Sequence, residues 1–236
     1  MVFVAGIIGS ELAPTKSLST LPVATIVVGT ALSVIPVIRL MSIFGRKKVF
    51  LSACIYSILL IGLCIFSITK EIFFLFSFAS FCLGASVATM MQFRFAAIES
   101  VNPEQRASAT AVVLLGGLIS AFLGTEIATI GKSLLNTDFV GSFLLLAFLF
   151  IIAFLFMTFF EPAAKFKEHK EKSKRPLKDI ITQGSFIVAV SAATTGYVVM
   201  SFIMTATPVS MHVMDGHSLH HTKLVLQSHV IAMFLP

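Results

Sequence analysis

Thirteen of the seventeen Lys and Arg residues fall in every second gap between long uncharged apolar runs, and this alternation constrains the chain more than any other feature. The runs cover residues 21–38, 49–69, 72–93, 107–125 and 139–160. About 20 apolar residues suffice for a helix to span a bilayer, so each run is predicted to be a membrane span. A longer run, 180–211, holds a sixth. The apolar ends, 1–10 and 224–236, are too short to span alone and read as helices cut by the ends of the chain. Only 12% of the residues are charged and 57% are hydrophobic, whereas soluble domains carry about 25% charged residues. The expected class is an all-α integral membrane protein whose first partner is the lipid bilayer. Apolar segments continue to the last residue, so no cleavable leader is evident.

The basic gaps hold Arg39, Arg46, Lys47 and Lys48, then Arg94 and Arg106, then Lys165, Lys167, Lys170, Lys172, Lys174, Arg175 and Lys178. Lys16, Lys70, Lys132 and Lys223 occupy the others. Basic residues accumulate in cytoplasmic loops, which places the N-terminus inside and the loops around 13–19, 70, 132 and 211–223 outside. The net charge of +6 is thus topogenic, and nucleic acid is not an expected partner. Cys54, Cys64 and Cys82 lie within spans at spacings that fit neither a metal site nor an obvious bridge. They read as small buried apolar residues.

Three units follow along the chain: a transmembrane bundle over 1–160, a basic cytoplasmic linker over 161–179, and the beginning of a second bundle over 180–236. The linker is either an amphipathic helix on the inner leaflet or a solvated tether, since both suit a Lys-rich segment beside anionic lipid. Six helices, a central linker and further helices is the plan of transporters built from two six-helix units. About two helices of the second unit are expected here, and the chain reads as a fragment.

Two loops carry local motifs. Arg39 precedes Gly45-Arg46-Lys47-Lys48 in a very short connection, where Gly permits a sharp turn. The basic residues there are expected to hold helix C-terminal carbonyls and nearby acids. Further on, Arg94-Phe95-Ala96-Ala97 leads into Asn102-Pro103-Glu104-Gln105-Arg106, and Pro103 and Glu104 suit the first turn of a helix. The first loop resembles that between helices two and three of the major facilitator superfamily, and the second resembles that family's loop between helices four and five. The resemblance implies a six-helix N-terminal bundle with the first one to two helices of a C-terminal bundle. It also implies a cytoplasmic gate, for which Arg39, Gly45, Arg46, Lys47, Lys48, Arg94, Glu99, Glu104 and Arg106 are the candidates. Departures occur: the family's Asp falls at Ser42, its earlier Gly at Ile38, and its frequent Arg of helix four at Ser80. Positive-inside anchoring is the other reading of the same basic residues.

Gly116, Gly117, Ser120 and Gly124 put small residues in the 107–125 run, with Gly116, Ser120 and Gly124 at four-residue spacing, a pattern that lets helices approach closely in lipid. The family's Gly-rich antiporter motif lies here, but Thr125 replaces its final Pro, so helix packing is the expectation. Glu126 lies roughly 28 Å along its helix at 1.5 Å per residue. It therefore reads as a solvated helix-end residue, and Glu11 likewise.

His212, His217, His220, His221 and Asp215 cluster after Pro208. A loose outward-facing polar loop explains them as well as zinc or copper binding does, and no closed metal site is assigned. Gln227 and His229 belong to the following helix. Together with Thr194, Tyr197 and Thr205 in the preceding run, they are the candidates for a substrate path, since polar residues of this kind line transporter cavities. The resemblance implies a secondary transporter of a small solute working by alternating access, with H+ as a candidate coupling ion. Its expected place is the cell membrane, the inner one in a bacterium. No cofactor and no enzymatic activity are expected, because neither His-Glu-x-x-His nor Gly-x-Ser-x-Gly occurs. The alternatives are a truncated membrane protein that does not transport and a metal-binding membrane protein using the His-rich loop.

Overall fold

Without water, backbone amides must be satisfied within the segment that carries them, and an uncharged run in lipid does so by forming a helix. A computed structural model of the chain describes residues 2–161 and 176–234. Among the described residues there are helices and turns and no strand. The helices are α1 (Val2–Leu12), α2 (Leu21–Phe44), α3 (Arg46–Thr69), α4 (Phe73–Met90), α5 (Phe93–Glu99) and α6 (Arg106–Lys132). They continue with α7 (Val140–Thr158), α8 (Leu177–Ile181), α9 (Gly184–Pro208) and α10 (Leu219–Phe234). Six helical segments are long and apolar enough to cross a membrane, and they coincide with the six expected runs.

The bounds differ in informative ways. The 72–93 run ends as α4 at Met90, and a separate short helix, α5, carries Arg94 and Glu99. The 107–125 run continues through Glu126 to Lys132, because one ionised residue does not interrupt backbone hydrogen bonding. The expected outer loop over 211–223 is a correction: α10 begins at Leu219 and takes Lys223 into its second turn. Beyond Pro208 the chain widens into a π-helical segment, Val209–Met214. The linker lysines 165–174 and Arg175 lie outside the described residues.

Turn chemistry joins the spans tightly. Gly45 alone separates α2 from α3: its N–H donates to Met41 O at 3.0 Å, while its carbonyl accepts from Val49 N at 3.4 Å. Its φ of 83° with ψ of 155° belongs to a region essentially reserved for Gly. Between α3 and α4, Glu71 takes a left-handed φ of 54°. The N–H groups of Glu71 and Ile72 cap the carbonyls of Ile68 and Ser67 in a Schellman pattern.

Packing centres on α2 against α4, with α3 between α4 and α7. At Gly29 and Gly84 the two backbones touch: a Cβ on Gly84 would lie 2.5 Å from the Gly29 carbonyl carbon and 2.7 Å from Ile26 O. Thr25 Oγ1 donates to Ser77 O at 3.0 Å across the same seam. Ser57 donates to Ser86 Oγ at 2.7 Å between α3 and α4, and Ser142 to Ala128 O at 2.9 Å between α7 and α6. Short polar bonds and close backbones hold helices together where lipid removes the hydrophobic drive. The main core gathers Ile7, Val23, Ile61, Cys64, Phe76 and Phe143. A second core packs Val37, Met41 and Phe50 with Ala88 and Ala96, and the Phe50 ring lies 4.6 Å from that of Phe93.

Residues after 176 join this bundle unevenly. Every residue of 181–199 is exposed, and α9 meets α1 only through its later turns and the π segment. α10 rests against α6. No residue of 106–124 in α6 is buried, while Ala128 and Gly131 near its end are.

Candidate functional site

The basic end of the bundle is organised by Gly45. Because the turn is one residue long, Arg46, Lys47 and Lys48 form the first turn of α3. This corrects the expectation that they serve helix C-terminal carbonyls: at an N-terminus their charges oppose the helix dipole and need a counter-charge. Glu99, the last residue of α5, supplies one, with Oε1 2.5 Å from the Arg46 guanidinium. The Arg46 side chain is 24% exposed and that of Glu99 57%. Lys47 is half-buried, and Lys48 and Arg39 are exposed. Ser42, standing where the family has Asp, donates to Arg39 O at 2.7 Å.

Of the acids and bases expected to meet this turn, Glu99 does so. Arg94 instead lies over the Phe95 ring at 4.9 Å. Glu104 and Arg106 are exposed at the short 3-10 turn preceding α6, and among the described residues neither forms an ion pair. Among the described residues, a Cβ on Gly116, Gly117 or Gly124 of the small-residue stripe would meet nothing within 4 Å. Gly124 borders a shallow apolar groove with Val4, Ala128, Phe143 and Leu146. Among the described residues, close glycine packing occurs at Gly29 with Gly84 and at Gly131 with Gly141.

At the opposite end a polar cluster joins α6 to α10. Lys223 Nζ donates to both carboxylate oxygens of Glu126, at 2.7 and 2.9 Å. Gln227 Nε2 donates to Thr125 Oγ1 at 2.8 Å and reaches Glu126 Oε1 at 3.4 Å. Residues four apart share one helix face, so Lys223 and Gln227 together clasp the consecutive pair Thr125 and Glu126. The expectation of a merely solvated Glu126 is thereby corrected. The Lys223 side chain is 9% exposed, and a buried ammonium requires such a partner. Sequence reasoning missed Lys223 and Thr125. The available signal was two opposite charges, each at the edge of an apolar run, with Gln227 one turn beyond the Lys.

Around this cluster, Lys132 pairs with Asp138 at 3.4 Å and lies over the Phe139 ring. His212 Nδ1 donates to His217 O at 2.8 Å, and the His220 and His221 rings are 6.2 Å apart. Among the described residues no three metal-ligating side chains converge. Of the remaining path candidates, Thr194 and Tyr197 are exposed on α9, whereas Thr205 is half-buried. His229 is partly buried, with Nε2 enclosed and without a hydrogen-bond partner among the described residues. Ser80, at the family's Arg position, is fully buried, and its Oγ likewise has no partner among them.

These features accord with comparisons to known proteins. The sequence profile of the Major Facilitator Superfamily matches residues 1–235. The riboflavin transporter RfnT of Brucella anthropi is 33% identical over 244 aligned residues, covering 100% of this chain and 60% of that protein. Two proteins of Bacillus subtilis described as uncharacterized MFS-type transporters, YddS and YdeG, are 26% and 28% identical. The chain covers 57% of YddS and 58% of YdeG, so it spans well under two thirds of each of these relatives. No solved structure gives a significant match. With six spanning helices and a family match over nearly its whole length, this is an integral multi-pass membrane protein. The chain belongs to the Major Facilitator Superfamily.

Proposed function

We propose that the protein acts as a secondary transporter, moving a small solute across the cell membrane by alternating access with an ion gradient as the driving force. The observation that carries this reading is the Arg46–Glu99 pair at the Gly45 turn. Three cations at a helix N-terminus oppose the dipole at a cost of about 0.3–1 kcal/mol each, which an acid or a lipid headgroup offsets. An ion pair that links the α2–α3 turn to the end of α5 couples those elements, and its exposed carboxylate lets water compete for it. Such a contact can break and re-form as the basic end opens and closes. Under this reading the basic end is cytoplasmic, the N-terminus lies inside, and the chemistry is transport without catalysis.

Riboflavin is the first solute to test, given the described function of the 33% identical relative. Thr205 and His229 offer hydrogen-bonding side chains for a polar solute, with Thr194 and Tyr197 earlier on α9, whereas the Gln227 amide is taken up by Thr125 and Glu126. The test uses the full product of the encoding gene, reconstituted in vesicles with labelled riboflavin outside. Saturable uptake that collapses when a proton gradient is dissipated is expected. Arg46→Glu should lower it several-fold, and Arg46→Glu combined with Glu99→Arg should restore much of the loss. Uptake no greater than in empty vesicles removes riboflavin as the solute, and unchanged uptake in Arg46→Glu removes the gate.

A further inference from the structure

Among the described residues, every hydrogen bond between a residue before 161 and one after 176 belongs to a single cluster: Lys223 to Glu126, and Gln227 to Thr125 and Glu126. All four side chains lie at the end of the bundle away from Arg46. From that cluster we infer a second closure, an ion-paired latch that holds α10 to α6 and seals the end of the molecule opposite the basic turns. The inference rests on the alternating-access reading and adds to it the residues that must part when this end opens.

Three observations support a latch over static packing. First, the contact between α6 and α10 includes this cluster, toward the end of α6 that holds the buried Ala128 and Gly131. At this same end α1 and the π segment meet, where a Cβ on Gly6 would lie 3.7 Å from Val209. The pair thus sits where the segments converge, and separation there requires breaking it. Second, the charges are unequally enclosed, with the Glu126 side chain 42% exposed and that of Lys223 9% exposed. The carboxylate is thus the more accessible partner of the pair within this chain. Third, Gln227 bonds Thr125 as well as Glu126, so α10 is registered on two consecutive residues of α6. The Lys223 ammonium is a compact point charge, so the alignment is set by the directional Gln227 amide bond beside it, which suits a contact that must re-form in the same place.

The test uses the full gene product with Cys54, Cys64 and Cys82 replaced by Ser. A reporter Cys is introduced by Leu226→Cys, a site on α10 that is 1% exposed. Labelling by a membrane-impermeant maleimide added outside is timed, and it needs neither solute nor gradient. A failure of riboflavin transport therefore leaves this measurement interpretable. With the latch intact, labelling should be slow. Glu126→Gln and Lys223→Gln should each accelerate it at least about tenfold, equivalent to ~1.4 kcal/mol of lost closure. The exchange Glu126→Lys with Lys223→Glu should return it toward the slow rate, with monodisperse elution confirming folding in each variant. Equal rates in all variants overturn the latch. Acceleration that the charge exchange fails to reverse overturns it as well, because the residues then act through packing alone.

Discussion

Gly84 and Gly117 sit in apolar helices of similar composition, yet a methyl group would be felt very differently at each. On Gly84 it would meet the backbone of Gly29 and Ile26, which cannot rotate away, so α2 and α4 would be pushed apart. Overpacking of this kind costs about 1–3 kcal/mol. Gly84→Ala should therefore lower the thermal midpoint of the purified protein, read by loss of monodisperse elution after heating. In this chain Gly117→Ala should leave it unchanged or raise it, since Ala exceeds Gly in helix propensity by ~1 kcal/mol and none of the described residues lies within reach. Gly45→Ala separates a third mechanism. No atom opposes the new methyl, but φ of 83° is hostile to any L side chain, and the expected loss is about 1–3 kcal/mol. Sequence reading found Gly45, because a lone Gly before a basic triplet between two apolar runs has only a turn to make. It favoured Gly116, Ser120 and Gly124 for their spacing and passed over Gly29 and Gly84. The partner of each of those lies on another helix, and no spacing within one run reveals it.

At the scale of elements, the six spans were legible because uncharged length is the physical requirement itself. Their ends were less so. Glu126 and Lys223 look like terminators one at a time, whereas both sit inside helices and answer each other's charge there. The π segment after Pro208 was equally hidden, since widening to i→i+5 bonding leaves no compositional mark. The candidate site was readable as two loops and a set of scattered polar residues. Which of them meet, Arg46 with Glu99 and Lys223 with Glu126, depends on helix packing. The direction of the elements makes a prediction of its own. With native cysteines removed, Asn136→Cys between α6 and α7 should label from outside intact cells. Gln105→Cys before α6 should label only after the membrane is permeabilised. The reverse pattern would invert the proposed orientation.

For the whole molecule, two of the ion pairs stand at opposite ends, Arg46–Glu99 within the first six spans and Glu126–Lys223 between those spans and α10. Weakening one should bias the protein toward opening at that end, so Arg46→Ala and Lys223→Ala are expected to shift outside accessibility in opposite directions. Labelling of Leu226→Cys in each variant of the full gene product measures this. If riboflavin is the solute, it should also protect the protein against heating. A ligand at 100 times its dissociation constant adds about 2.7 kcal/mol to the folded state, and a thermal shift that grows with concentration checks it. The α2–α4 seam bears on how such a molecule is made. Thr25 and its bonding partner Ser77 are separated by 52 positions, with all of α3 between them. At about 5–20 residues synthesised per second, α2 waits several seconds beside the translocation machinery before α4 exists. During that interval the narrow face at Gly29 stands open to lipid, and α3 must enter the bilayer without occupying it. The order of insertion thus depends on α3 being held aside, which makes the seam a constraint on biogenesis as well as on the finished bundle.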